Sequence, residues 1–137
     1  MPLTLTVTED VMPKDSLSTA IGQITDAFLK HHGLSDNALM RRNVTAHVHV
    51  LPAGAAFAGG EPVSGAWIEW KVPSFALVDR DVQKKFFAEA TQIVHDLSGQ
   101  TLPKAQIWAN ALHAVDGSWN LNGVAMSNAE LGAALAG

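Results

Sequence analysis

The sequence predicts an α+β fold: two β-α-β units joined into one four-stranded sheet with two helices on one face. Three observations predict it. Short segments alternate apolar and polar residues, the period-2 mark of a strand with one face buried. Between them lie long stretches whose apolar residues recur at helical spacing. The whole pattern then repeats. VTAHVHVLPAGAAFAGG, from Val44, overlays IWANALHAVDGSWNLNG, from Ile107, without a gap and 63 positions on, so that Gly54 meets Gly117 and Gly60 meets Gly123.

The first strand is Leu3 to Thr8, where Leu3, Leu5 and Val7 alternate with Thr4, Thr6 and Thr8. Pro2 stands at its mouth, a position that tolerates proline because no ladder bond needs the missing N–H. Leu17, Ala20, Ile21, Ile24 and Phe28 then form a helical stripe. It predicts a helix over 14–31, with Asp15 or Ser16 as cap and Gly33 as stop. VTAHVHVL, 44–51, is a second strand: Val44, Ala46, Val48 and Val50 point one way, and Thr45, His47 and His49 the other. PAGAAFAGG reads as turn, short extended piece and turn. In the second half GAWIEWKV, 65–72, is a strand. Val82, Phe86, Ala90, Ile93 and Leu97 predict a helix over 80–98, with Asp79 or Asp81 as N-cap and Gly99 as stop. Residues 105–115 make the fourth strand, and GSWNLNGV is a turn-rich tail.

Strands joined through a crossover helix are parallel, so each unit contributes a parallel pair. The helices cover one face of the sheet, and the other face carries Thr, His and Trp. A chain of 137 residues has one domain's worth of core and no third layer to cover that face. One domain over 1–137, with an internal repeat of about 2–64 and 65–137, is therefore expected to associate with further copies. The composition agrees, with 47% apolar but only 16% charged residues. A net charge of −4 and the lack of a basic run argue against a nucleic-acid partner. The chain has no cysteine, which excludes a disulfide framework, a thiol nucleophile and a Cys-containing zinc site. No run of about 18 apolar residues suggests a membrane span, and the N-terminus has neither the basic start nor the apolar stretch of a secretion signal. A soluble cytoplasmic protein is expected.

Pro2 also carries a chemical possibility. Removal of Met1 would leave it a free secondary amine. An α-amine has a reference pKa of roughly 8, and burial or a nearby cation lowers it. A neutral amine near pH 7 can take a proton from carbon beside a carbonyl and return it elsewhere. With Met1 retained, Pro2 is an ordinary tertiary amide without basicity.

Pro2 directly after Met1, two β-α-β units and the F-x-G-G hairpin at Phe57 to Gly60 together resemble the tautomerase superfamily, typified by 4-oxalocrotonate tautomerase. ITDA (24–27), PAGAAFAGG (52–60) and QIW (106–108) look most like the cis-3-chloroacrylic acid dehalogenase group, and DGSWNLNG (116–123) like the end of malonate semialdehyde decarboxylase. The resemblance implies a homotrimer with the sheets as an inner barrel, a small-molecule substrate, no cofactor or metal, and Pro2 as the catalytic base. The auxiliary residues of the dehalogenase group are changed here. Its arginine pair aligns with Phe75 and Val78, its histidine with Phe28, its water-activating acid with Leu121 and its tyrosine with Asn110.

The cations left to hold a substrate carboxylate are Arg80 and Lys71, with Arg41 and Arg42 expected at the surface. Asn110 could orient a carbonyl oxygen. Phe57, Phe75 and Trp119, with Trp67, Trp70 and Trp108, are candidate walls of an apolar pocket. His47 and His49 share a strand face, but no third ligand accompanies them. Two functional classes follow: a keto–enol tautomerase working through Pro2 on a small enolisable carbonyl acid, or a non-catalytic binding protein with Pro2 blocked by Met1. A dehalogenase or decarboxylase with the arginine requirement is disfavoured.

Overall fold

The alternating segments become the strands of one mixed sheet in the computed structural model, which describes residues 1–137. In chain order the elements are β1 (Pro2–Thr8), α1 (Lys14–His31), α2 (Ala38–Asn43), β2 (Thr45–Leu51), β3 (Phe57–Ala58), β4 (Glu61–Pro62), β5 (Ala66–Pro73), α3 (Arg80–Leu97), β6 (Ile107–Ala114), β7 (Trp119–Leu121), β8 (Val124–Met126) and α4 (Asn128–Ala136). The sheet order is β2-β1-β5-β6. β1 with β2 and β5 with β6 are parallel, as the crossover helices demand, and the central β1–β5 pair is antiparallel. The duplication is therefore a pseudo-twofold between β1 and β5. α1 and α3, each 18 residues, start 66 positions apart. β2 and β6 keep the 63-residue offset, because three extra residues, and α2 with them, precede β2.

Strand parity sorts the faces. Leu3, Leu5 and Val7 of β1 and Ile68, Trp70 and Val72 of β5 are buried beneath α1 and α3. Phe28 of α1 stacks on Trp70 with centroids 4.4 Å apart, and Phe86 of α3 meets Phe28 edge-on at 5.7 Å. Such pairs add about 0.5–1.5 kcal/mol each beyond area burial. Trp70 is thus core and not a pocket wall, which corrects the expectation above, and Phe28 is equally closed to substrate. Ala46, Val48 and Val50 share the buried parity. However, Val48 and Val50 are 38% and 52% exposed, because β2 is an edge strand that α1 does not fully cover.

The opposite face has no layer over it. Its rows, read across the register, are Thr45 and Pro2; His47, Thr4, Glu69 and Asn110; then His49, Thr6, Trp67 and Trp108. The last two indoles stack at 5.2 Å. They pass so close to Gly65 that a Cβ there would lie 2.8 Å from the Trp108 ring.

Local differences have local causes. α1 starts behind Pro13 with no side-chain cap, so Asp15 lies within the first turn, where its charge meets the helix dipole. Gly33, at φ 67, stops α1 as expected, and Leu34 N–H bonds back to the Leu29 carbonyl. Asp79 caps α3, accepting from the N–H groups of Asp81 and Val82. The segment before β6 winds into a short 3-10 turn at Lys104–Gln106, so the strand starts at Ile107. Both turn-rich stretches close as hairpins, the first through Gly59 and Gly60 with positive φ, as a tight two-residue turn requires. α2 and α4 are additions to the expected elements.

Candidate active site

Pro2 begins β1 on the uncovered face, opposite Thr45 of β2. On its other side Leu3 pairs with Trp70 in the antiparallel register, which brings Lys71 beside Pro2 on the same face. Met1 carries the edge of β1 one residue further. Its amine donates to the Asn43 carbonyl, and its own carbonyl accepts from Thr45 N–H at 3.2 Å. Burial lowers the pKa of that amine from 8.0 to about 6.

The Met1 side chain is buried, 8% exposed, and forms one wall of a small, mostly apolar pocket with Leu39, Met40, Asn43, Phe75, Trp119, Leu121, Leu131 and Leu135. About 20 Å³ remains free there, room for one water at most. Four pieces of chain build the walls: α2, the β5–α3 loop, the β7–β8 hairpin and α4. Hydrogen bonds clip them together. Asn37, which caps α2 by accepting from Met40 N–H at 2.8 Å, donates through Nδ2 to the Leu135 carbonyl at 2.9 Å. At the other end of α4, Asn128 Nδ2 donates to Ser74 Oγ at 2.8 Å, and its N–H donates to Asp116 Oδ1 at 2.6 Å.

The loop carrying Phe75 is held from beneath. Leu77 is buried with φ 54, a left-handed conformation unusual for leucine. Its N–H donates to His32 Nε2 at 3.1 Å, and its carbonyl accepts from Gln83 Nε2 at 2.8 Å. His32 Nδ1 lies 2.8 Å from the Phe28 carbonyl, which assigns the ring proton to Nδ1 and leaves Nε2 as the acceptor. Only the neutral ring can serve both partners. Burial pushes the His32 pKa down, in the direction this requires.

The candidate residues thus divide. Pro2 and Lys71 are neighbours on the open face, and Phe75 and Trp119 line the pocket that Met1 also walls. Asn110 is exposed on β6, two strands from Pro2's own, and lines the same groove as Arg80. Arg80 lies outside the Met1 pocket, in a groove between α3 and β6. Phe57 is 57% exposed in the hairpin after β2, at the far end of the sheet from Pro2. His47 and His49 are exposed on the open face, and no three His, Asp or Glu side chains gather into a metal cluster. Arg41 pairs with Asp26 at 2.9 Å, and Arg42 is exposed. Sequence reasoning missed α2 and α4. Of these, α4 had a signal, the Ser127-x-x-Glu130 capping box that the structure completes.

Two positions where the resemblance puts polar machinery, Phe75 and Leu121, meet around Met1, and Val78 faces solvent, 59% exposed. The pocket is therefore apolar where a carboxylate clamp and a water-activating acid would stand.

No family model and no curated protein matches this sequence. Solved structures do. Pt0534 inactivated by 2-oxo-3-pentynoate superimposes with a TM-score of 0.76 at 15% identity, covering 96% of this chain and 99% of that one. N1, a member of the cis-3-chloroacrylic acid dehalogenase family, gives 0.71 at 17%, covering 92% and 83%. A symmetric trimer of wild-type fused 4-OT gives 0.78 at 11%, covering 96% and 99%. At such identities the likeness is one of fold, and it runs nearly end to end.

Proposed function

We propose that this chain, which has the fold of the tautomerase superfamily, is a proton-transfer catalyst whose working group is the Pro2 amine, freed by removal of Met1. The observation that carries the reading is the Met1 plug. One residue both acylates Pro2 and, buried, walls the small apolar pocket next to it. Its removal creates the base and the binding space together. Lys71, next to Pro2 in the register, disfavours the protonated amine and attracts a substrate carboxylate. The reaction is a keto–enol shift. The neutral amine takes a proton from carbon beside the carbonyl, the electron pair moves to oxygen, and the proton returns at the other end. Nothing is oxidised and no group leaves. The substrate is a small enolisable carbonyl acid with its apolar end where the Met1 side chain lies. The working form is a homotrimer, which covers the sheet face that bears Trp67, Trp108 and the 60% exposed Leu112.

The second reading is a binding protein that keeps Met1. The hydrogen bonds at both ends of Met1 and the burial of its side chain favour it. The test uses Met1-free protein, verified by mass spectrometry, and follows ketonisation of the enol of a phenyl-substituted 2-oxo acid. Activity that Met1-free protein shows and its Pro2→Ala variant loses supports the proline base. Equal activity in both would assign the chemistry to another residue. No activity in either, with Met1 retained in protein from its native host, leaves the binding reading standing.

A further inference from the structure

The duplication has left two grooves in equivalent places, and they have diverged in charge. Each lies beside the N-terminal half of a long helix and reaches the edge strand, open to solvent, with about 360 Å³ of free space. The groove of the first unit, beside α1 and β2, is walled by Met12, Leu17, Val7 and Val50, with Lys14 and Glu9 offsetting each other in charge. At the matching positions beside α3 and β6, Gln83 stands for Leu17, Lys84 for Ser18, Phe87 for Ile21 and His113 for Val50. Arg80 takes the place of Lys14. No acidic residue lines this second groove.

We infer that the α3–β6 groove is a binding site for a small aromatic carboxylate, separate from the pocket at Met1. Arg80 and Lys84 lie one helical turn apart on α3, and neither has a carboxylate within ion-pair distance. Arg80 Nη1 makes only a 3.3 Å contact to Gln83 Oε1, so its planar fork stays available. Of the two acids that flank Arg80, Asp79 is engaged in capping α3, and Asp81, in the first turn, makes no ion pair with it. Arg80, in the first turn, also opposes the helix dipole, a cost that Asp79 and Asp81 partly offset and a bound anion would offset further. The remaining walls suit a flat ring with a polar edge: Leu77 and Phe87 on the helix side, with Ala109, Asn110 and Ala111 on the strand side. His113 donates through Nε2 to the Ala76 carbonyl at 2.8 Å, which fixes its ring at the groove's end. The volume is within the usual span for small-molecule sites, roughly 300–1,000 Å³.

Benzoate is the probe. Titrated into the full-length, isotope-labelled protein, it should give saturable amide shifts at Arg80, Lys84, Phe87 and Ala109 to Ala111, weakening as salt is raised. Arg80→Gln with Lys84→Gln, both exposed positions, should weaken binding tenfold or more while leaving the melting temperature near that of the parent. Neutral benzamide should bind at least tenfold more weakly than benzoate. Leu17→Ala, in the apolar counterpart, should change nothing. The inference is overturned by the absence of saturable shifts, by equal affinity for benzamide, or by benzoate shifts confined to Met1, Trp119 and Leu135. The same experiment reads out whether a second copy covers the groove, since an occluded groove gives no shifts. None of these outcomes depends on Pro2 chemistry.

Discussion

Removing Met1 while keeping every other residue tests the plug directly. The side chain is 8% exposed, and the pocket it walls leaves only about 20 Å³ free. Emptying a buried methionine site costs about 2–5 kcal/mol, and losing the Thr45 N–H to Met1 carbonyl bond adds about 1 kcal/mol. The pocket lies at the chain terminus and can partly collapse, which places the net loss at about 2–4 kcal/mol. Scaled by the usual unfolding entropy per residue, that is a fall in Tm of about 7–14 °C. A ligand that takes the vacated space should reverse the loss by about 2.7 kcal/mol at one hundred times its Kd. The assay compares Met1-retaining and Met1-free protein at equal concentration by thermal unfolding, with and without a phenyl-substituted 2-oxo acid. The Met1-free form should gain more than the Met1-retaining form, which can bind such an acid only in the α3–β6 groove proposed above. Equal melting temperatures would show that Met1 is not a structural plug. Equal ligand stabilisation of both forms would show that the ligand binds elsewhere, and the proposed substrate pocket would fall with it.

Two further outcomes follow from the same geometry. Met1-free protein should not release halide from 3-haloacrylates. Phe75, Val78 and Leu121 stand where a clamp and a water-activating acid are needed, and each lost donor commonly costs about two to three powers of ten in rate; turnover of about one per second, an ordinary enzymatic rate, would show that Lys71 or Arg80 serves as the clamp. His32 should make stability acid-sensitive. Its folded pKa is lowered below 6.5, so the unfolded chain binds the extra proton first. The stability contributed by the neutral ring is complete above pH 6.5 and is lost as pH falls from 6.5 toward the lowered folded value. The slope is at most about 1.4 kcal/mol per pH unit, and less for a ring partly open to solvent. The Met1 amine acts with the same sign in the window from 8.0 down to about 6. Urea unfolding of the parent and His32→Asn across pH 5–7.5 therefore isolates the ring, and an unchanged difference between them at every pH would refute the assignment.

What the sequence made legible was whatever depends on period. The helix over 14–31 coincides with α1, and the second begins at Arg80 as expected and ends one residue early, because long amphipathic stripes with Gly stops leave little choice of ends. Strand parity was equally legible, down to His47 and His49 facing away from Val48 and Val50. The walls around Met1 were not. α2 has six residues and one buried side chain, Met40, too short for any periodicity. α4 is apolar nearly all round, so it has no stripe to read, although its capping box stood in plain view. Both are fixed by tertiary hydrogen bonds, Asn37 to Leu135 and Asn128 to Ser74, over separations of 98 and 54 residues. The division between Lys71 and Arg80 was hidden for another reason. Both are cations near the end of β5, and proximity in sequence made them look interchangeable as clamps. Antiparallel pairing with β1 sets Lys71 beside Pro2 on the open face, whereas the turn through Leu77 carries Arg80 over to the helix side. The left-handed Leu77, held between His32 and Gln83, is therefore what separates the ammonium next to Pro2 from the guanidinium in the groove.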